Sequence, residues 1–446
     1  MGRGASVSAF DEALPKVVAA VIAAPFYATL TSVTVIRDLR GRIRLLLEFL
    51  EKHDEASQDD LPADWGAQKT ALQQRLTNDV GPYWGRSIWR GRERRDAVFL
   101  ATAAAIVAAR QPWPSSGSPS APAVAWFKLE RQFSKSSWGA VAMPPWPITD
   151  MAKPAVVAFY SFKGGVGRTV ALSSVALLLA QAGHNVVVVD LDLEAPGAAP
   201  FLMGATPLPD DGVVDYLVEW QLNETSPPTL APFVSIQTDP VLVGASPIRV
   251  LPSGNVNLSF VEKVARLDFE GYVAPAQNPL AELLKQITAE YQPAFILLDV
   301  RSGLHDLGGL SLNALSHLNV IFSRDSEQAW AGLETVLAIL GEHRAAAHGA
   351  ELLVVHSLVP PKDRDPTAHE RFAARSYDVF EKKYFSGADT MPDIASGEAP
   401  YGLPIPFQES LQNAANAASL QPSTDGGGAY VELTKRIGAF LGRHTI

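Results

Sequence analysis

Five short and almost wholly apolar runs limit what the latter part of this chain can become. They are VVAFYS (156–161), VVVVD (186–190), FILLD (295–299), LNVIFS (318–323) and LLVVHS (352–357). Runs without a polar alternate suit strands buried on both faces, and such strands belong to parallel sheets covered by helices. Helical stretches at 279–290 and 327–340 fall between the runs, and another at 367–384 follows the last. Strands alternating with helices predict an α/β domain with a doubly wound, mostly parallel sheet.

The first part of the chain is patterned differently. QPWPSSGSPSAP (111–122) is rich in Pro, Ser and Gly and marks the strongest break. Before it, 1–110 reads as a small α+β accessory unit. SVTVIRDLRGRIRLLLEFL (32–50) carries two β-type runs around Asp38-Leu39-Arg40-Gly41, a hairpin signal. Stretches 10–24 and 63–108 look mostly helical. Residues 111–150 read as a linker and connecting segment. Within them AVAWFKLERQF (123–133) fits a strand or a short helix, and Pro144, Pro145 and Pro147 mark a second break. The remainder, 151–446, is the α/β domain.

Composition excludes several classes. There are no cysteines among the 446 residues, so disulfides and thiolate metal sites are ruled out and a cytoplasmic setting is expected. A formal net charge of −10 disfavours nucleic acid as a partner. The basic patch RGRERR (90–95) is interrupted by Glu93 and reads as a solvated helix face, and the charges of Lys362, Asp363, Arg364 and Asp365 cancel. The apolar stretch 97–108 has only 12 residues, short of the roughly 18 a membrane helix needs. The start, MGRGASVSAFDEALPK, puts acids before any apolar run, unlike a signal peptide.

The candidate site opens where VVAFYS ends. FYSFKGGVGRTVAL (159–172) approximates the phosphate-loop pattern G-x-x-x-x-G-K-[ST], with Arg168 where the loop lysine belongs and Lys163 just inside the start. A buried strand precedes it and a helix opens at Arg168-Thr169. Glycines let backbone N–H groups approach phosphate oxygens, and the helix N-terminus adds a favourable dipole. Gly164, Gly165 and Gly167 are the expected cradle, and Thr169 the expected hydroxyl for Mg²⁺. Asp190 and Asp192 end one strand and Asp299 ends another, at the carboxyl edge where ligands of such sheets bind. Asp190 fits a ligand-facing acid in preference to a cap of the strand exit.

Residues 155–446 resemble the MinD/ParA family of P-loop ATPases with a deviant Walker A motif, in a KGGVGR variant. KGGVGRT (163–169), DLDLEAPG (190–197) and DVRSG (299–303) carry the resemblance, with weaker matches at GVVDYL (212–217), LPSG (251–254) and LPIPFQESL (403–411). The resemblance implies a bacterial, cytoplasmic, Mg²⁺-dependent ATPase that forms an ATP-dependent homodimer and regulates a protein partner. It implies catalytic roles for Lys163, Asp192 and Arg168. Nucleotide binding falls to Lys163, Gly164, Gly165, Val166, Gly167, Arg168, Thr169 and Val170, with Pro406 and Phe407, near His356 and Ser357, beside adenine. Metal binding falls to Thr169, Asp192 and Asp299. Arg168 departs from the family's second lysine; it keeps the charge in a planar fork, and slow hydrolysis is expected. Arg301 and the pair Arg324-Asp325 fit contacts to a partner subunit or, in preference, solvated surface. The closing segment YVELTKRIGAFLGRHTI is amphipathic. A helix packed on the sheet is expected there in preference to a membrane anchor.

Overall fold

The structure is a computed structural model that describes residues 9–50, 64–90, 97–113, 124–131, 134–140, 142–222, 227–244, 246–273, 278–346, 350–385, 391–394, 396, 399–412, 415–420 and 427–445. Most of the patch 90–95 and of the break 111–122 lie outside the described residues. The chain divides into two compact units, Met1–Phe133 and Ser134–Ile446.

The first unit is α+β. The hairpin forms from β1 (Leu30–Arg37) and β2 (Ile43–Phe49), which pair antiparallel. Its turn is held by Asp38, whose carboxylate accepts the amides of Arg40 and Arg42 at 3.0 and 2.9 Å. Gly41 supplies the left-handed residue, φ +78°. With β3 (Trp84–Arg90), β4 (Gln111–Pro112) and β5 (Ala125–Glu130) the sheet order is β3-β2-β1-β5-β4. The helices Ala9–Ile22 and Trp65–Val80 bury Val17, Val21, Leu72 and Leu76 against Val33, Val35, Leu45 and Leu47. Of the two readings open for AVAWFKLERQF, the strand is the one that forms. One expectation is corrected: WGRSIWR, inside the stretch 63–108, is a strand. Its Trp84 and Ile88 pack into the same core, and that tertiary burial overrides the helical pattern around it.

In the second unit the five apolar runs become β6 (Ala155–Ser161), β7 (Val186–Leu191), β10 (Phe295–Val300), β11 (Leu318–Ser323) and β12 (Glu351–Val359). Three shorter strands join them: β8 (Ser235–Gln237), β9 (Ile248–Leu251) and β13 (Leu403–Pro406). The order is β13-β12-β11-β6-β10-β7-β9-β8, parallel throughout except that β8 runs antiparallel to β9.

Alternate residues of β6 point to opposite faces, as the period of a strand requires. Val156, Ala158 and Tyr160 join one hydrophobic core, whereas Ala155, Val157 and Phe159 join the other. The closing helix Gly427–Leu441 buries Leu433, Ile437 and Leu441 in the second core, beside residues of the helix Arg168–Gln181. Its apolar face is therefore occupied by the sheet's own packing. No helix among the described residues is long and apolar enough to cross a membrane.

Candidate functional site

The chain leaves β6 and returns to β7 across β10, then places β11 on the other side of β6. The order reverses at β6, and the crevice at such a reversal lies outside the carboxyl ends of the strands. The glycine loop stands there. Gly165 and Gly167 are left-handed, φ +70° and +75°, a conformation that a Cβ disfavours. Gly167 caps the helix Arg168–Gln181, so the first amides of that helix have no partner within it.

The loop is anchored to the end of β12. Val166 is buried, and its carbonyl accepts the Ser357 hydroxyl at the end of β12. Leu358 packs 3.8 Å from the position a Gly167 side chain would take. Ser302 lies 3.6 Å from the corresponding position of Gly164. Lys163 is half-buried at the head of the loop, and Val170 is half-buried in the first helical turn. Pro406 closes β13, and the Phe407 amide donates to the Val359 carbonyl at 2.9 Å. Phe407 is 41% exposed, so an aromatic side chain is on offer to solvent at the strand end.

The acids gather by register. Asp299 of β10 is paired with Asp190 of β7, and both are fully buried. Asp190 settles as a cap: one oxygen accepts the amides of Gly197 and Ala198 at 3.1 and 3.0 Å, and the other accepts the Asp192 amide at 3.2 Å. Burial, and next the Asp299 carboxylate, push its carboxyl up, against the pull of those amides.

Asp192 and Asp299 instead meet across one guanidinium. Arg168 Nε donates to Asp299 Oδ1 at 2.6 Å, and Arg168 Nη2 donates to Asp192 Oδ2 at 2.9 Å. Thr169 Oγ1 donates to Asp299 Oδ2 at 2.9 Å, and the Ala195 amide donates to Asp192 Oδ1 at 3.1 Å. Burial pushes Asp299 up while Arg168 pulls it down. Arg168, Thr169, Asp192 and Asp299, far apart in sequence, are thus one bonded cluster beneath the loop. Lys163 makes none of these bonds.

The weaker motifs also converge. The Val213 and Val214 amides donate to the carbonyls of Pro252 and Ser253 at 2.8 and 3.0 Å, and Ser253 Oγ donates to the Asp190 carbonyl at 2.8 Å. Gly212 faces the Gly254 backbone so closely that a side chain would collide with it.

Three features escaped the sequence. Arg301 is only half-exposed and pairs with the exposed Glu194, as does His305 at 3.7 Å, tying the segment after β10 to the segment after β7. Asp325 is exposed, as expected, but it also accepts Trp330 Nε1 at 2.9 Å. The Gly303 carbonyl accepts the Tyr160 hydroxyl at 3.0 Å. Arg301 and Glu194 each flank a motif aspartate, and that adjacency was the signal available.

Residues 154–348 match the family model of the AAA domain. A ParA family ATPase from Chlorobium tepidum is similar at 16% identity, covering 64% of this chain and 99% of that chain with TM-score 0.45. The septum site-determining protein MinD of Pyrococcus horikoshii, solved with Mg-ADP, is similar at 18% identity, 65% and 98% coverage and TM-score 0.45. The cell division ATPase MinD of Pyrococcus furiosus is similar at 20% identity, 64% and 98% coverage and TM-score 0.42. No curated protein matches the chain in sequence. The glycine loop on β6 and the carboxylates at the ends of β7 and β10 all lie within the segment 154–348 that matches the AAA domain model.

Proposed function

We propose that the chain is an ATP-binding and ATP-hydrolysing switch that acts on a protein partner, or on its own first unit, through nucleotide-dependent dimerisation. What supports this most is the gathering of Arg168, Thr169, Asp192 and Asp299 beneath a helix-opening glycine loop. The amides from Gly164 to Val170 would hold the phosphates, with Lys163 and Arg168 offsetting their charge. Asp192 would orient a water for in-line attack on the γ-phosphate, so catalysis would come from positioning and electrostatics. Pro406 and Phe407 would flank adenine. The Thr169 hydroxyl and the carboxylates of Asp192 and Asp299 are hard oxygen donors of the kind that suit Mg²⁺, which when bound would neutralise charge on the phosphate oxygens.

The test is phosphate release with ATP and Mg²⁺, with oligomer size followed in parallel. Wild type is expected to turn over slowly and to dimerise with ATP. Lys163→Ala and Asp192→Ala are each expected to lower turnover at least about a hundredfold. Wild-type release equal to that of Asp192→Ala would reject the enzyme. One observation favours a second reading, a nucleotide-dependent scaffold with little hydrolysis: both carboxylates already hold the guanidinium of Arg168. ATP-dependent dimers without turnover would select it.

A further inference from the structure

The side chain of Arg168 does not extend to the loop's open face. It turns back beneath the loop and is 9% exposed. Its guanidinium bridges Asp299 and Asp192 at 2.6 and 2.9 Å. The remaining oxygen of Asp299 accepts Thr169 Oγ1, and that of Asp192 accepts the Ala195 amide. Every carboxylate oxygen of the pair is therefore engaged, one of each by the same cation.

These are the groups to which a divalent ion would have to bind. A guanidinium and a divalent ion carry charge of the same sign and need the same oxygen atoms. At close range in a partly buried site like charges repel strongly, and a divalent ion doubles the charge on one side. Among the described residues no group of three His, Asp or Glu side chains is arranged to hold a metal. Asp190, the third acid at this edge, is turned to the amides of 197 and 198.

We propose that Arg168 is a built-in counter-cation, and that its guanidinium and a divalent ion are alternative occupants of the Asp192–Asp299 pair. The nucleotide-free protein then excludes the metal. The pair opens to it only when nucleotide phosphates draw the guanidinium away. This deepens the nucleotide-switch reading and rests on it only for the group that draws Arg168 out.

The experiment is Mn²⁺ binding to the full chain without nucleotide, followed by electron paramagnetic resonance. Arg168→Gln removes two charge-assisted bonds and the competing charge, and is expected to bind Mn²⁺ at least about tenfold more tightly than wild type. Adding Asp192→Asn to Arg168→Gln is expected to abolish that gain. Equal binding by wild type and Arg168→Gln, or a gain that survives Asp192→Asn, overturns the proposal. Should Arg168→Gln fail to fold, Arg168→Lys decides. Its compact ammonium keeps the charge but loses the planar fork that spans both acids, so tighter Mn²⁺ binding than wild type is expected, and unchanged binding overturns the proposal. Failure of the nucleotide reading registers separately, as no binding of a fluorescent ATP analogue by wild type.

Discussion

At the end of β12 one imidazole lies flat in the core. His356 is 1% exposed and stacks on Phe372 with ring centroids 4.1 Å apart and planes 3° apart. Burial, then the neighbouring His369 ring, push it down to about 4; Asp325 opposes this shift and Arg371 adds to it. An unfolded imidazole titrates near 6.5. Between about 6.5 and about 4 the denatured chain binds a proton that the native chain resists. Stability is therefore complete above the unfolded value and is lost as pH falls toward the native one. A shift of this size corresponds to about 3 kcal/mol. His305, His317 and His343 are shifted down too, each mainly by burial, and steepen the same acid limb. His356→Phe keeps an aromatic ring on Phe372 and removes the proton. Its urea-unfolding free energy is expected to fall less steeply than that of wild type from pH 6.5 to 4.5, with a constant difference above pH 7. Parallel slopes across the acid range would refute this account of His356.

Among the elements, the short helix Ser136–Gly139 is the least conspicuous in sequence and one of the best secured. The Lys135 ammonium pairs with Asp306 at 2.9 Å, Ser137 Oγ donates to the Asp306 carbonyl at 2.8 Å, and Trp138 Nε1 donates to the His305 carbonyl at 2.8 Å. Gly309 permits the approach: a side chain there would meet the Trp138 amide nitrogen at 2.8 Å. The segment thus clamps the residues that follow Asp299. Trp138→Ala is expected to cost about 3–5 kcal/mol and to speed amide hydrogen exchange across 303–313 while leaving β7 protected. Unchanged exchange there would show that the clamp does not restrain the segment. The contrast with β6, β7, β10, β11 and β12 explains what the sequence could show. Those strands are buried on both faces, so composition alone marks them. KSSWG has no periodicity, and its stabilising partners lie about 170 positions away. The site divides in the same way. The loop, Thr169 and the acids follow from local motif chemistry, but the direction in which Arg168 points is set by Asp192 and Asp299 together, and no local pattern encodes it.

For the whole molecule, the division at Ser134 moves the 134–150 segment into the second unit. The sequence placed a boundary at 151 because prolines at 144, 145 and 147 resemble a linker. Those prolines instead carry the chain across the unit. Trp146 between them is buried, donates Nε1 to the Pro154 carbonyl at 2.8 Å, and presents its own carbonyl to His317 Nε2 at 2.8 Å. His317 in turn accepts the Val156 amide at 2.9 Å, so the segment braces the start of the central strand. A fragment starting at 151 loses Trp138 and Trp146 at once. Each deletion of a buried Trp side chain costs about 3–5 kcal/mol, against a total of about 5–15 kcal/mol for a typical domain. The fragment 134–446 is expected to unfold in urea at the midpoint of the corresponding transition in the full chain. The fragment 151–446 is expected to unfold at a clearly lower midpoint or to be recovered insoluble. Coincident midpoints for the two fragments would return 134–150 to the role of a linker and leave the central strand braced by its sheet alone.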